Sequence, residues 1–299
     1  MWTSVKRCPI VGLHYYGGLM TVVDQGLIDD ACIALGVSDV NAVGSVGGQK
    51  AVRHVKSGGT DLIMKVIAIK SSSPTTLSRA EREVDLLKSL HCPHIVKVES
   101  DLVTIGVPVR GAAWLEEFLD GKDLSSHFGA RWSWTDAVEM GHQISGGLAV
   151  AHDAGVIHRD LSANNVRRLS DGIYKVMDFG FARYTLRSGL TVAGQPGTPG
   201  YLSPEHLNAY SGVPMPASDV FGVGILMYQA LTGELPIPYL GDELDYLKRL
   251  SRVEIIDIGS VRGDLSDTQL QLVRRMLHPQ PARRFINGRK LVEALELEL

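Results

Sequence analysis

The hydrophobic pattern of this chain changes period once, and that change limits the folds open to it. Val40 to Val43, Ala51 to Val55, Leu62 to Ile69, Ile95 to Val98 and Val107 to Leu115 read as strands, with turns at Gly44, Gly47-Gly48 and Ser57-Gly58-Gly59 between the first three. One helix interrupts them, Ser78 to Leu90, with Val84, Leu87 and Leu90 on one face. Beyond Leu124 the pattern is helical: Thr135 to Ala154, Ala217 to Thr232, Tyr246 to Arg252, Asp267 to Leu277 and Arg289 to Leu297. Two short strands, Asn165 to Leu169 and Tyr174 to Met177, flank a turn at Ser170-Asp171-Gly172. A β-rich half before a helical half predicts an α+β class with two unequal lobes. The polar stretch around Gly121 is the natural hinge, and residues 1–40 read as an extension with a short amphipathic helix over Leu27 to Leu35.

With 299 residues, 44% of them hydrophobic, the chain has enough apolar surface for one large domain or two lobes sharing a core. Lys and Arg number 30 against 33 Asp and Glu, so no excess of positive charge recruits nucleic acid or acidic lipid. Cys8, Cys32 and Cys92 are odd in number and far apart, which points to a reducing compartment and a cytoplasmic location. The longest apolar run, Phe221 to Leu231, is interrupted by Gly222, Gly224 and Gln229 and falls short of a membrane span. Met1 to Met20 makes a poor signal peptide, because Pro9, His14 and Gly17-Gly18 break it.

The densest chemistry lies in His158-Arg159-Asp160-Leu161-Ser162-Ala163-Asn164-Asn165, with Asp178-Phe179-Gly180 following. Read alone, Asp, Asn and Gly at such places cap strands and turns. Together they resemble the H-R-D-L-x-x-x-N and D-F-G motifs of eukaryotic-type Ser/Thr protein kinases. Phosphoryl transfer needs an acid and an amide oxygen for metal ions bridging the nucleotide phosphates, and a carboxylate near the attacking hydroxyl. The resemblance implies that Asn165 and Asp178 hold Mg2+ and that Asp160 accepts or orients the hydroxyl proton. Gly197-Thr198-Pro199-Gly200-Tyr201-Leu202-Ser203-Pro204-Glu205 resembles the substrate-docking loop of the same family, in its Ser/Thr wording. It implies that Thr198 bonds Asp160 and that Glu205 pairs with Arg284, within Gln280-Pro281-Ala282-Arg283-Arg284. Asp219, at the start of Asp219-Val220-Phe221-Gly222, is implied to brace the catalytic loop.

The nucleotide lobe fits the family less closely. Ser45-Val46-Gly47-Gly48-Gln49-Lys50-Ala51-Val52 stands where a Gly-rich loop belongs, but Ser45 and Lys50 occupy two of its glycine positions. Gly47, Gly48 and Val52 are the residues expected to cover the nucleotide; an ordinary hairpin turn is the alternative. Two lysines compete for the phosphates. Lys70, in Ile67-Ala68-Ile69-Lys70, is the better string, and Lys65 the better spacing to Glu83, the expected helix partner, with Glu81 as fallback. Glu117-Phe118-Leu119 resembles the segment whose backbone meets adenine, and Asp123 falls where the family places an acid on the ribose.

Three positions depart from the pattern. Ser162 replaces the lysine expected near the transferred phosphate, which removes a cation from the transition state. Ile63 replaces a small alanine over adenine. Glu116 occupies a position that is usually apolar, where a buried acid needs a partner; Lys65 is a candidate. Thr185, Ser188 and Thr191 are candidate phosphosites, with Arg159 as the phosphate's partner.

The resemblance covers residues 41–297. It implies a bilobal kinase fold: an N-lobe over 41–119, a hinge at about 117–123 and a C-lobe over 124–297. The implied reaction moves the γ-phosphoryl of ATP, with Mg2+, to a Ser or Thr hydroxyl of a protein substrate. Two alternatives stay open: a pseudokinase acting as a nucleotide-binding or scaffolding module, favoured by Ser162, Ile63 and the degraded glycine loop, and a small-molecule phosphotransferase on a related fold.

Overall fold

Strand alternation in the first part of the chain serves both faces of one sheet. The computed structural model describes residues 23–43, 50–69, 74–179, 183–184, 198–207 and 215–299. Strands β1 (Ser38–Ala42), β2 (Lys50–Ser57), β3 (Thr60–Ala68), β4 (Val103–Ile105) and β5 (Gly111–Glu117) form an antiparallel sheet in the order β1-β2-β3-β5-β4. On β3, Met64, Val66 and Ala68 point to the outer face, where they pack with Leu27, Ile28 and Ala31 of helix α1 (Gln25–Leu35). The expected extension therefore carries a helix that shares the core of the small lobe. Asp24 caps α1 by accepting from the Leu27 N–H at 2.7 Å, and Gly36 ends it at φ 64°.

The opposite parity of β3, Lys65 and Ile67, faces inward toward helix α2 (Pro74–Ser89). This helix begins a turn earlier than the Ser78 start expected from periodicity. Proline suits a first turn, where its missing N–H has no intrahelical acceptor. Two expected strands also change. Ile95 to Val98 makes only isolated bridges, Ile95 to Val176 and Val98 to Glu116. The strand read from Val107 to Leu115 begins only at Gly111, after a turn containing Gly106 at φ 88° and Pro108, which has no N–H for a ladder.

The chain leaves this lobe through β6 (Gly121–Asp123), which pairs with β8 (Val166–Leu169), itself paired with β9 (Tyr174–Val176). A Cβ at Gly121 would lie 2.1 Å from the Arg168 carbonyl oxygen, so only glycine allows this crossing. The large lobe is helical. Helix α3 (Trp134–Asp153), capped by Ser133, packs on α4 (Pro216–Thr232) and α7 (Gly288–Leu295), with α5 (Glu243–Ser251) and α6 (Asp267–Met276) completing it. A short pair, β7 (Val156–Ile157) with β10 (Arg183–Tyr184), flanks the catalytic loop. One continuous core runs from Ile67, Leu87 and Trp114 through Leu124 and Phe179 to Leu226, fixing the lobes against each other. Among the described residues, no helix is long and apolar enough to cross a membrane.

Candidate active site

The catalytic loop is held from beneath by one carboxylate. Asp219, buried in the first turn of α4, accepts from the His158 N–H at 2.8 Å, the Arg159 N–H at 3.0 Å and His152 Nε2 at 2.8 Å. Burial opposes its ionisation, but the His152 hydrogen bond and charge, His158 and the Arg159 N–H hold its carboxyl below the usual carboxylate range. The restraint matters because Arg159 sits at φ 72°, a left-handed conformation that a non-glycine residue keeps only when its surroundings enforce it. The His158 ring joins this loop to the next: Nε2 lies 2.8 Å from the Met177 carbonyl oxygen, and the ring meets Phe179 edge-on at 4.6 Å.

With that turn fixed, Asp160 faces Thr198. Its Oδ1 accepts from the Thr198 N–H at 2.9 Å and from Thr198 Oγ1 at 2.8 Å, the bond expected from the sequence. Asn165 Nδ2 donates to the Asp160 carbonyl at 2.7 Å and to Asp160 Oδ2 at 3.2 Å. These bonds fix the amide so that Asn165 Oδ1 is its remaining acceptor, the end suited to a cation. The substrate loop is anchored twice more. His206 Nε2 lies 3.1 Å from the Arg159 carbonyl, and Arg284 binds Glu205 through both carboxylate oxygens at 2.6 and 2.9 Å. That last pair, anticipated from its motif, is almost completely buried.

Across the cleft, Asp178 stands at φ 59° and its Oδ1 accepts from two ammonium groups, Lys65 at 2.9 Å and Lys50 at 2.7 Å. Burial pushes the Asp178 carboxyl up, but Lys65 and Lys50 outweigh it and hold the group far below the usual range. Lys65 is the inward lysine of β3. Burial would favour loss of its proton, yet Glu116, Asp178 and Glu83 keep it firmly protonated. Its ion pairs are with Glu116 at 2.7 Å and with Asp178. Glu83 projects from α2 into the same electrostatic environment, but among the described residues its Oε1 has no hydrogen-bond partner, and Lys65 makes no ion pair with it. The fallback, Glu81, is exposed.

The hinge residues serve mixed ends. Glu117 Oε1 accepts from the Lys97 N–H at 2.7 Å and from Lys175 Nζ at 2.6 Å, so its side chain is already engaged. Leu119 is buried, and among the described residues its N–H has no partner. Asp123 is bound by Arg167 at 2.8 and 3.1 Å. Val52 lies across from Lys65 in the β2–β3 register, and Ile63 is buried across from Glu116. Ser162 is buried, with its hydroxyl unpartnered among the described residues. Gly47, Gly48, Lys70, Thr185, Ser188 and Thr191 lie outside the described residues.

Sequence reasoning assigned no role to Lys50, His152, Trp114 or His206. The signal for Lys50 was its place on a glycine of the loop template; nothing local marked the other three. Asp178 and Asn165 bring one carboxylate and one amide oxygen toward the cleft. That donor set fits a hard cation that shares its remaining ligands with substrate phosphates and water.

The family model described as "Protein kinase domain" matches residues 40–293. The chain is 28% identical over 245 residues to a protein of Corynebacterium efficiens named "Serine/threonine-protein kinases drp72", covering 79% of this chain and 45% of that one. It is 32% identical over 212 residues to "Serine/threonine-protein kinase pkn3" of Myxococcus xanthus, covering 66% and 38%. It is also 43% identical over 100 residues to "Serine/threonine-protein kinase PknL" of Mycobacterium tuberculosis, covering 33% and 24%. The chain thus spans less than half the length of these relatives. On the family match and the geometry that accompanies it, the chain belongs to the protein kinase domain family.

Proposed function

We propose that this chain is a Mg2+-dependent Ser/Thr protein kinase that transfers the γ-phosphoryl of ATP to hydroxyls of protein substrates. The observation that carries the reading is the bonding of the Asp160 carboxylate to Thr198 of the substrate loop and to Asn165. It puts a proton acceptor where a docked peptide's hydroxyl arrives, beside the amide expected to help hold the metal. When bound, the metal neutralises charge on the phosphates; Asp178 and Asn165 are the residues to hold it. Lys65 binds phosphate oxygens, with Lys50 as a second cation at the same carboxylate. Val52, Gly47 and Gly48 cover the nucleotide, and the backbone of Glu117 to Leu119 receives adenine, where the Leu119 N–H is an unused donor among the described residues. Asp123 is the acid for the ribose, and Arg167 also binds it.

In the transfer, the substrate hydroxyl oxygen forms a bond to the γ-phosphorus as the bond to the β–γ bridging oxygen breaks. Asp160 takes the hydroxyl proton and ADP leaves. The catalytic unit is residues 41–297, with 1–40 as an extension whose helix α1 packs on it. A cytoplasmic site of action is supported by Cys32 and Cys92, both free thiols. The deciding experiment is mass spectrometry after incubation with MgATP and a Ser/Thr peptide library, with Asp160→Ala as control. Phosphoserine or phosphothreonine in wild type alone supports the reading. Nucleotide binding without any transfer supports the pseudokinase alternative, and transfer to a sugar or an aminoglycoside in preference to peptides supports the other.

A further inference from the structure

We propose that His206 is a positioning residue for Asp160: it fixes the peptide plane from which the Asp160 side chain departs, and Ser203 fixes its ring. The inference rests on the kinase reading above for the role of Asp160, though not for the geometry. The peptide unit joining Arg159 to Asp160 is held at both edges. Its N–H, on Asp160, donates to His158 Nδ1 at 3.2 Å. Its carbonyl, on Arg159, lies 3.1 Å from His206 Nε2. A carbonyl oxygen only accepts, so Nε2 carries the ring proton. The other side of the ring agrees. The Ser203 N–H only donates, and it lies 3.2 Å from Nδ1, with Ser203 Oγ at 2.7 Å. These partners assign the Nε2–H tautomer, with Nδ1 bare and the Ser203 hydroxyl donating to it. The Ser203 carbonyl, 3.2 Å from the same Nδ1, meets no proton there and accepts from the His206 N–H at 3.0 Å instead.

One short turn builds this contact. Pro204–Leu207 form a single 3-10 turn, and Ser203, Pro204, Glu205 and His206 are all buried. Glu205, next to His206, is clamped by Arg284 through both oxygens, so the turn presents the imidazole at a fixed place. Arg159 is where such a hold counts. Asp219 takes its N–H at 3.0 Å, which fixes the peptide plane before its Cα. The carbonyl belongs to the plane after Cα, which turns separately about ψ and needs a holder of its own. At φ 72° Arg159 is strained, and releasing either plane gives the strain a way out. The substrate loop and the turn after it therefore meet Asp160 twice. Thr198 Oγ1 bonds its carboxylate directly at 2.8 Å, and His206 sets the backbone from which that carboxylate hangs.

The test separates the hydrogen bond from the bulk of the ring. His206→Gln keeps a donor at about the reach of Nε2, His206→Asn keeps one that falls short, and His206→Phe keeps a ring without a donor. In peptide phosphorylation, His206→Phe and His206→Asn should lower kcat about tenfold, the effect of orphaning a buried carbonyl, and change the KM for MgATP less. His206→Gln should stay within about threefold of wild type. Ser203→Ala should lower kcat several-fold in the wild type and under about twofold in His206→Phe, because Ser203 acts only through the ring. The second measurement is hydrogen exchange at the Asp160 N–H, followed by NMR, which needs no kinase activity. His206→Phe should speed it about tenfold relative to the amides of α4, and His206→Gln should restore the slow rate. If His206→Phe fails to fold, His206→Asn against His206→Gln carries the same comparison. The proposal is overturned if His206→Gln loses as much kcat as His206→Phe, or if Asp160 exchange in His206→Phe matches wild type. A wild-type chain that transfers no phosphate defeats the kinase reading, and the exchange comparison still decides this one.

Discussion

Replacing Asp219 by Asn tests whether the catalytic loop is shaped by one buried acceptor. The carboxylate has two oxygens serving three N–H donors, from His158, Arg159 and His152. The amide keeps one acceptor and presents an NH2 to the other side. Whichever way it turns, at least one buried donor is orphaned, at a cost of about 1–3 kcal/mol. The surviving bonds lose their charge assistance, on the order of 0.5–1.5 kcal/mol each. The total is about 2–5 kcal/mol, allowing for non-additivity. Holding Arg159 at its left-handed φ of 72° itself costs on the order of 1–3 kcal/mol, so the weakened restraint no longer exceeds the strain it opposes. The turn relaxes and Asp160 moves. Urea unfolding should show the stability loss, and peptide phosphorylation should show kcat falling about tenfold or more. MgATP affinity should fall less than kcat, since Lys65 and Asp178 hang on other elements and only Asn165, of the expected metal ligands, is bonded to Asp160. A variant within about 0.5 kcal/mol of wild type, with unaltered kcat, would refute the reasoning.

Three further outcomes are expected. Glu205→Gln leaves Arg284 buried without its counter-charge and should cost about 3–5 kcal/mol in urea unfolding, whereas Glu205→Gln with Arg284→Met should cost less than the single change. Burial raises the Glu205 carboxyl but the Arg284 bonds outweigh it, so its folded value is depressed. Its stabilisation is present above its unfolded value, about pH 4.3, and is lost as pH falls through the folded value, so the gap between wild type and Glu205→Gln should close in acid. Lys50→Met removes a half-exposed ion pair and should cost under about 1 kcal/mol of stability, yet weaken MgATP binding; unchanged affinity in calorimetry argues against a nucleotide role. Gly121→Ala places a methyl against the Arg168 carbonyl and should destabilise by about 1–3 kcal/mol in thermal melts, with a wild-type melt contradicting so close a crossing at the hinge.

Much of the architecture was legible because it is local. Alternation in β3 puts Lys65 on one face and Met64 on the other, and the 3.6-residue period marks α3, α4 and α6 within a few residues. Where prediction slipped, a single residue decided: Pro74 let α2 start early, and the Gly106 and Pro108 turn delayed β5 to Gly111. The catalytic loop was also readable, because Asp160, Asn165, Asp178, Thr198, Glu205, Asp219 and Arg284 keep a recognisable order, and the structure closes the expected Thr198–Asp160 and Glu205–Arg284 bonds.

The choice of partners in the cleft was readable only in part. Spacing favoured Glu83 for Lys65, and the burial expected of Glu116 named Lys65 as its candidate partner; the structure closes the second pair, adds Asp178, and brings Lys50, which had no role, to Asp178 across 128 positions of chain. Secondary structure follows from periodicity and turn chemistry, which a short window of residues contains. Which of three carboxylates meets a buried ammonium depends on strand register, on the reach of each side chain and on which charges are driven together out of water. Those quantities exist only once the lobes have packed.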